Sequence, residues 1–149
     1  MEAIQDFEDL LEIFERHEVR YLIIGGLAFI YHAKPRYTKD MDLWVDAEVS
    51  NVKRANRALA EFGSPETLDP ARHDEILQLG VAPNRVDLLR ETGLDFHELW
   101  RNRIEGRYGR SAASWVDIEG LIAIKRRIDQ PRHQEDVRVL ELVRMRNAR

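Results

Sequence analysis

The segment Asp40-Met41-Asp42-Leu43-Trp44-Val45 constrains this chain more than any other stretch. It reads as a β-strand, and alternate side chains of a strand share a face. Asp40, Asp42 and Trp44 therefore point one way, while Met41, Leu43 and Val45 point into the core. The two carboxylates lie about 7 Å apart along the backbone, at a rise of about 3.3 Å per residue, and their side chains can converge on one divalent cation or a pair. Aspartate is a poor strand former, so this placement costs stability that packing does not return.

A second acid sits in an equally improbable place. Asp87 interrupts the apolar run Arg85-Val86-Asp87-Leu88-Leu89. If that strand neighbours the first, three aspartates cluster on one sheet face, and they cannot all stay ionised at close range without a cation. Hard carboxylate ligands of this kind suit Mg²⁺ or Mn²⁺. The plain alternative is a solvated strand face with an acid at its edge; the pairing of Asp40 and Asp42 with Asp87 and a glycine turn favours the metal.

That turn is Gly25-Gly26, which ends the buried strand begun at Tyr21-Leu22-Ile23-Ile24. Glycines at a strand-to-helix junction let backbone approach a ligand closely, and the helix N–H groups and dipole that follow favour an anion such as phosphate. The spacing is neither a dinucleotide fingerprint nor a P-loop. An anion cradle beside metal-binding carboxylates suits a metal-chelated polyphosphate.

The rest of the chain supports a mixed fold. Residues 3 to 18 read as an amphipathic helix and residues 27 to 33 as a short helix springing from the glycines. Ser50 is the expected N-cap of a helix carrying Val52, Ala55, Leu59 and Phe62 on one face. Residues 76 to 80 and 85 to 89 read as two strands, 95 to 103 as a helix, and 107 to 117 as a hairpin. Asp117 is expected to cap a helix through about Arg127, Pro131 to interrupt, and a last helix to run from about His133 to Arg146. Helices between and after a few strands predict an α+β (mixed α/β) architecture: a small mixed sheet flanked by helices, with a C-terminal helical segment. At 149 residues the chain is read as one domain, with a core of about 19–117 followed by helices over about 117–147.

Composition excludes several classes. Hydrophobic residues make up 44% and charged residues 34%, as in ordinary globular proteins, and the formal net charge of −4 supplies no global field for nucleic acid. The absence of cysteine removes disulfides, thiolate chemistry and cysteine zinc sites. The N-terminus is unlike a signal peptide, and no apolar run approaches the roughly 20 residues of a membrane span, so a cytoplasmic protein without membrane partners is expected.

The ordered set of a glycine pair, a short helix, a basic loop, Thr38-Lys39-Asp40-Met41-Asp42-Leu43-Trp44-Val45 and then Asn84-Arg85-Val86-Asp87-Leu88-Leu89 resembles the nucleotidyltransferase (polymerase-β-like) superfamily. It looks closest to small, bacterial-type members with Arg-x-Thr before the acids, here Arg36-Tyr37-Thr38. The resemblance runs from about Tyr21 to Leu140. It implies that Asp40 and Asp42 bind two Mg²⁺ (or Mn²⁺) ions holding a nucleoside triphosphate, ATP being the favoured one. By the same resemblance Asp87 completes the second metal site and assists deprotonation of the attacking hydroxyl. Gly25 and Gly26 receive the phosphates, with Arg36 and Thr38 in the nucleotide-binding segment. The implied reaction is a two-metal in-line transfer of a nucleoside monophosphate with release of pyrophosphate.

Lys125 borders the apolar face of its helix, so it either snorkels to the surface or brings its ammonium to the triphosphate. Related sequences carry such a lysine followed by a basic-acidic stretch ending in aspartate; here Arg132 and His133 depart from that stretch while Asp136 fits. His32, His73, His97 and His133 share no ligand spacing and are read as local hydrogen-bonding groups. Trp44 stacks on a base or belongs to the core, and Trp100 and Trp115 are read as core or interface. The arginines from Arg101 to Arg110 form a solvated basic surface or contact an RNA acceptor. A haloacid-dehalogenase phosphatase would place its Asp-x-Asp after the apolar strand, and a metal nuclease would want lysine two places beyond Asp87, where Leu89 stands. The remaining alternative is a nucleotide-binding regulatory or toxin–antitoxin component on the same fold. Since only residues 88–149 follow Asp87, a homodimer could complete the site. The acceptor, whether a small-molecule hydroxyl, an RNA end or a protein, is not legible.

Overall fold

The computed structural model describes residues 3–38, 40–81 and 84–148. Among these, six strands form one mixed sheet in the order β3-β4-β2-β1-β6-β5. The elements run α1 (Gln5–Arg16), β1 (Tyr21–Ile24), α2 (Gly25–His32), β2 (Asp40–Val45), α3 (Val49–Phe62), β3 (Leu77–Leu79), β4 (Arg85–Leu89), α4 (Phe96–Arg101), β5 (Ile104–Tyr108), β6 (Ser111–Trp115), α5 (Ile118–Arg126) and α6 (Pro131–Asn147). This is the α+β architecture expected from the sequence.

β2 is central. It pairs antiparallel with β1, opposing Ile24 to Asp42, and parallel with β4, opposing Asp40 to Arg85 and Asp42 to Asp87. Met41, Leu43 and Val45 are completely buried, as a period-two pattern with one apolar face demands. α1 packs on β6 and α3, and α2 packs on β1, β2, α5 and α6. Phe7, Leu10, Leu11 and Phe14 form the buried stripe of α1, and Leu121, Ile122 and Ile124 anchor α5.

Three local expectations are corrected. Glu48, not Ser50, precedes the first turn of α3; Ser50 lies inside that turn and donates to Glu48 Oε1 at 2.8 Å. Pro131 opens α6 rather than interrupting before it, because a first-turn residue needs no N–H partner and proline's fixed φ suits the position. The hairpin starts at Ile104, three residues before Arg107, and turns between Tyr108 and Ser111. Asp117 does cap α5, accepting the Gly120 N–H at 2.8 Å.

All three tryptophans find apolar partners. Trp44 is buried edge-on against Phe96, with centroids 5.2 Å apart, and Trp115 is buried under Tyr31 at 4.2 Å. Trp100 stacks on Phe96 and carries the Arg103 guanidinium over its ring at 3.8 Å. Trp44 is thus a core residue, although it shares a strand face with the acids.

Candidate active site

Gly25 carries a backbone φ of +69°, and an ideal Cβ there would lie 2.2 Å from Asp42 Oδ2. A Cβ on Gly26 would lie 2.8 Å from Thr38 Oγ1. Any larger residue at either position would have to displace a side chain of the site. The glycine pair therefore lets Asp42 and Thr38 close onto the start of α2. That helix has no side-chain acceptor at its N-cap Ile24, so its first N–H groups face the site without a capping partner.

A cavity of about 490 Å³ opens here. Every residue expected to bind metal or nucleotide lines it except Asp87, and Tyr37, Arg132 and His133 line it too. Asp87 reaches the same sheet face through its register with Asp42. Lys39, beside Asp40, lies outside the described residues.

The electrostatics of the acids are distinctive. Burial first, and then the charges of Asp87 and Asp40, push the Asp42 carboxyl up to about 6. Burial also raises Asp87, opposed by Arg85. Arg85 Nη2 donates to Asp40 Oδ2 at 3.1 Å, and its Nε lies 3.2 Å from Asp87 Oδ1. Asp87 Oδ1 is nonetheless buried without a hydrogen-bond donor. Three carboxylates, one of them carrying an orphan oxygen and another pushed toward neutrality, fit a hard divalent cation.

Lys125 does not snorkel. It is 2% exposed, and its Nζ lies 3.0 Å from Asp136 Oδ2 and 3.3 Å from His133 Nδ1. Burial lowers the lysine below its ordinary range, against the pull of Asp136. Asp136 is itself buried, yet hydrogen bonds from Arg36 and Lys125 hold it below the usual carboxylate range. Arg36 gives both terminal nitrogens to Asp136, at 2.8 and 3.0 Å, and lies 4.0 Å over the Phe29 ring. Arg36, named from the sequence as a nucleotide-binding residue, spends its fork on this strut, which ties the segment entering β2 to α6. His133, lowered first by burial and then by Lys125, lies at the same junction.

Another cluster was not legible in the sequence. Among the described residues, the one set of three ligand-bearing side chains whose atoms all lie within 4.8 Å of one another is Asp46, Glu48 and His97. His97, read as a local hydrogen-bonding group, stands 3.7 Å from Asp46 Oδ1. These acids already have a cation, because Arg20 Nε meets Asp46 Oδ2 at 2.7 Å and its Nη2 meets Glu48 Oε2 at 2.9 Å. Asp40, Asp42 and Asp87 stand further apart, and among the described residues these three carboxylates gather around the one guanidinium of Arg85.

Solved structures share this architecture. The lincosamide antibiotic adenylyltransferase LnuA, in its lincomycin-bound structure, aligns with a TM-score of 0.62 at 14% identity over 95% of this chain and 99% of its own. ANT(2")-Ia, in complex with adenylyl-2"-tobramycin, aligns at 0.60 with 16% identity over 93% of this chain and 91% of its own. This chain has the nucleotidyltransferase fold. An antigenic nucleotidyltransferase-like protein from Paracoccidioides brasiliensis aligns at 0.52 with 12% identity, over 95% of this chain and 76% of its own. No protein-family model and no curated protein matches the sequence. No helix among the described residues is long and apolar enough to cross a membrane.

Proposed function

We propose that this chain is a metal-dependent nucleotidyltransferase that moves a nucleoside monophosphate, AMP in the first instance, from a triphosphate to a hydroxyl acceptor. The observation that carries the reading is the register of β2 with β4, which sets Asp40, Asp42 and Asp87 on one face beside the uncapped start of α2.

Asp40, Asp42 and Asp87 would hold the divalent ions. Mg²⁺ or Mn²⁺ bound there would neutralise the triphosphate and lower the barrier to attack at the α-phosphorus. Gly25 and Gly26 present backbone N–H groups to phosphate oxygens, and Thr38 stands at the same wall. Lys125 adds a buried positive charge to the cavity lining, fixed by Asp136. Asp87 takes the proton of the acceptor hydroxyl, a role suited to a carboxylate with an oxygen that accepts no hydrogen bond. The acceptor oxygen bonds to the α-phosphorus, the bridge to the β-phosphorus breaks, and pyrophosphate leaves.

The acceptor class follows by analogy. LnuA is a lincosamide antibiotic adenylyltransferase with lincomycin bound and ANT(2")-Ia is in complex with adenylyl-2"-tobramycin, and this chain spans nearly the whole length of both, so a small hydroxylated molecule is the first acceptor to offer. The test is transfer from each α-labelled nucleoside triphosphate with Mg²⁺ or Mn²⁺, against hydroxylated antibiotics and fractionated cell extract. Label is expected on one acceptor with the wild type and on none with the Asp42→Asn protein. Equal transfer by both proteins would sink the metal assignment. Metal-dependent triphosphate binding without transfer would point to the regulatory use of the fold.

A further inference from the structure

The acidic face already contains a cation of the protein's own. Arg85 stands directly opposite Asp40 in the β2–β4 register and shares its strand face with Asp87. Its Nη2 reaches Asp40 Oδ2 at 3.1 Å and Asp87 Oδ2 at 3.5 Å. The contact is incomplete: Arg85 Nε and Asp87 Oδ1, 3.2 Å apart, are both buried, and neither makes a hydrogen bond. A guanidinium fork matched to a carboxylate would satisfy both atoms. This one is held in place largely by charge. Its side chain is 35% exposed, so it can withdraw into water, unlike Lys125, which is buried and spent on Asp136.

We propose that Arg85 is the resting counter-ion of the metal-binding acids, and that a divalent ion loads only as the guanidinium leaves Asp40 and Asp87. This rests on the metal-binding reading above. A guanidinium and a divalent ion compete for these oxygens. The guanidinium occupies lone pairs that a metal needs, and a divalent ion beside it would meet like-charge repulsion in a partly buried site. Loading is therefore an exchange of one cation for another, and the apparent metal affinity is reduced by the fraction of molecules in which Arg85 is docked. Docked, the arginine spares the metal-free fold the repulsion of three ionised carboxylates. Withdrawn, it frees Asp40 Oδ2 and Asp87 Oδ2 for the metal.

The experiment is a Mn²⁺ titration of the full chain, with the free ion followed by electron paramagnetic resonance, comparing wild type with Arg85→Met. The variant is expected to bind Mn²⁺ about tenfold more tightly or better, and to gain a larger rise in melting temperature from the ion. Equal or weaker binding by a folded Arg85→Met protein would overturn the exchange. No Mn²⁺ binding by either protein would instead defeat the metal-site reading itself, and the exchange with it. A wild-type measurement covers the case in which Arg85→Met does not fold. In ¹⁵N-labelled protein the Arg85 Nε–H resonance, assigned by its loss in Arg85→Lys, should move toward that of a solvent-exposed arginine as Mg²⁺ saturates the site. A resonance that stays in place at saturation would overturn the proposal.

Discussion

Asp42 occupies the space that a side chain on Gly25 would need, its Oδ2 lying 2.2 Å from where the Cβ would stand. Backbone conformation and site geometry therefore depend on the same absent atom. Gly25→Ala would force an L side chain into φ +69° and drive Asp42 off the sheet face. A loss of about 2 kcal/mol is expected in urea unfolding, together with weakened Mn²⁺ binding. Unchanged stability and unchanged Mn²⁺ affinity would show that β1 and β2 absorb the methyl without moving Asp42.

Asp42 also predicts a pH dependence. Its carboxyl titrates at about 6 in the fold and at 3.8 ordinarily, so the folded protein holds that proton more tightly than the unfolded chain does. The contribution is fully present below the ordinary value and is lost as pH rises through about 6. Asp42→Asn should therefore stabilise the metal-free protein at neutral pH by roughly 2 kcal/mol and do much less at pH 4. Denaturant midpoints across that interval would measure it. A flat difference between the proteins would remove the buried, self-repelling carboxylate from the account.

The Arg36–Asp136–Lys125 strut separates two roles that the sequence alone merged. Asp136→Asn leaves the buried Lys125 ammonium without its counter-charge and should cost about 3 kcal/mol. Lys125→Met leaves Asp136 paired with Arg36, so the loss in stability should be smaller while triphosphate affinity falls about tenfold. Urea unfolding and fluorescent-nucleotide binding distinguish them. A Lys125→Met protein that binds nucleotide as the wild type does would leave the lysine a purely architectural role.

Much of this site was visible in the sequence because its logic is local. Period-two alternation put Asp40 and Asp42 on one face, and the glycine pair marked the strand-to-helix junction. The cap at Asp117 needed only its neighbours. What escaped was set by contacts distant in sequence. The alternation that exposed Asp87 places Arg85 beside it, but only the pairing of β2 with β4 shows that Arg85 faces Asp40. The pairing of Arg36 with Asp136 spans 100 residues, beyond any local pattern. Lys125 sat at the border of an apolar face by helical spacing, and the packing of α5 on α6 closed over it. His97 met Asp46 through the docking of α4, which no spacing encodes.

The two acidic clusters make opposite predictions for metal. Asp46 and Glu48 share Arg20, which leaves them one negative charge in excess, and His97 stands at their exposed edge. Asp87 keeps a buried oxygen with no donor. A divalent ion gains most where negative charge is least compensated, despite the shorter spacing of the Asp46 cluster. Asp87→Asn is therefore expected to weaken Mn²⁺ binding at least about tenfold, because an amide is a poor substitute for a carboxylate ligand. His97→Ala should leave it unchanged, and since the ring is 57% exposed, stability should move by less than about 0.5 kcal/mol. Mn²⁺ titration of both variants decides between the sites. The reverse outcome, affinity lost with His97 and kept without Asp87, would move the metal to the far end of β2, where Arg20 would be the cation to displace.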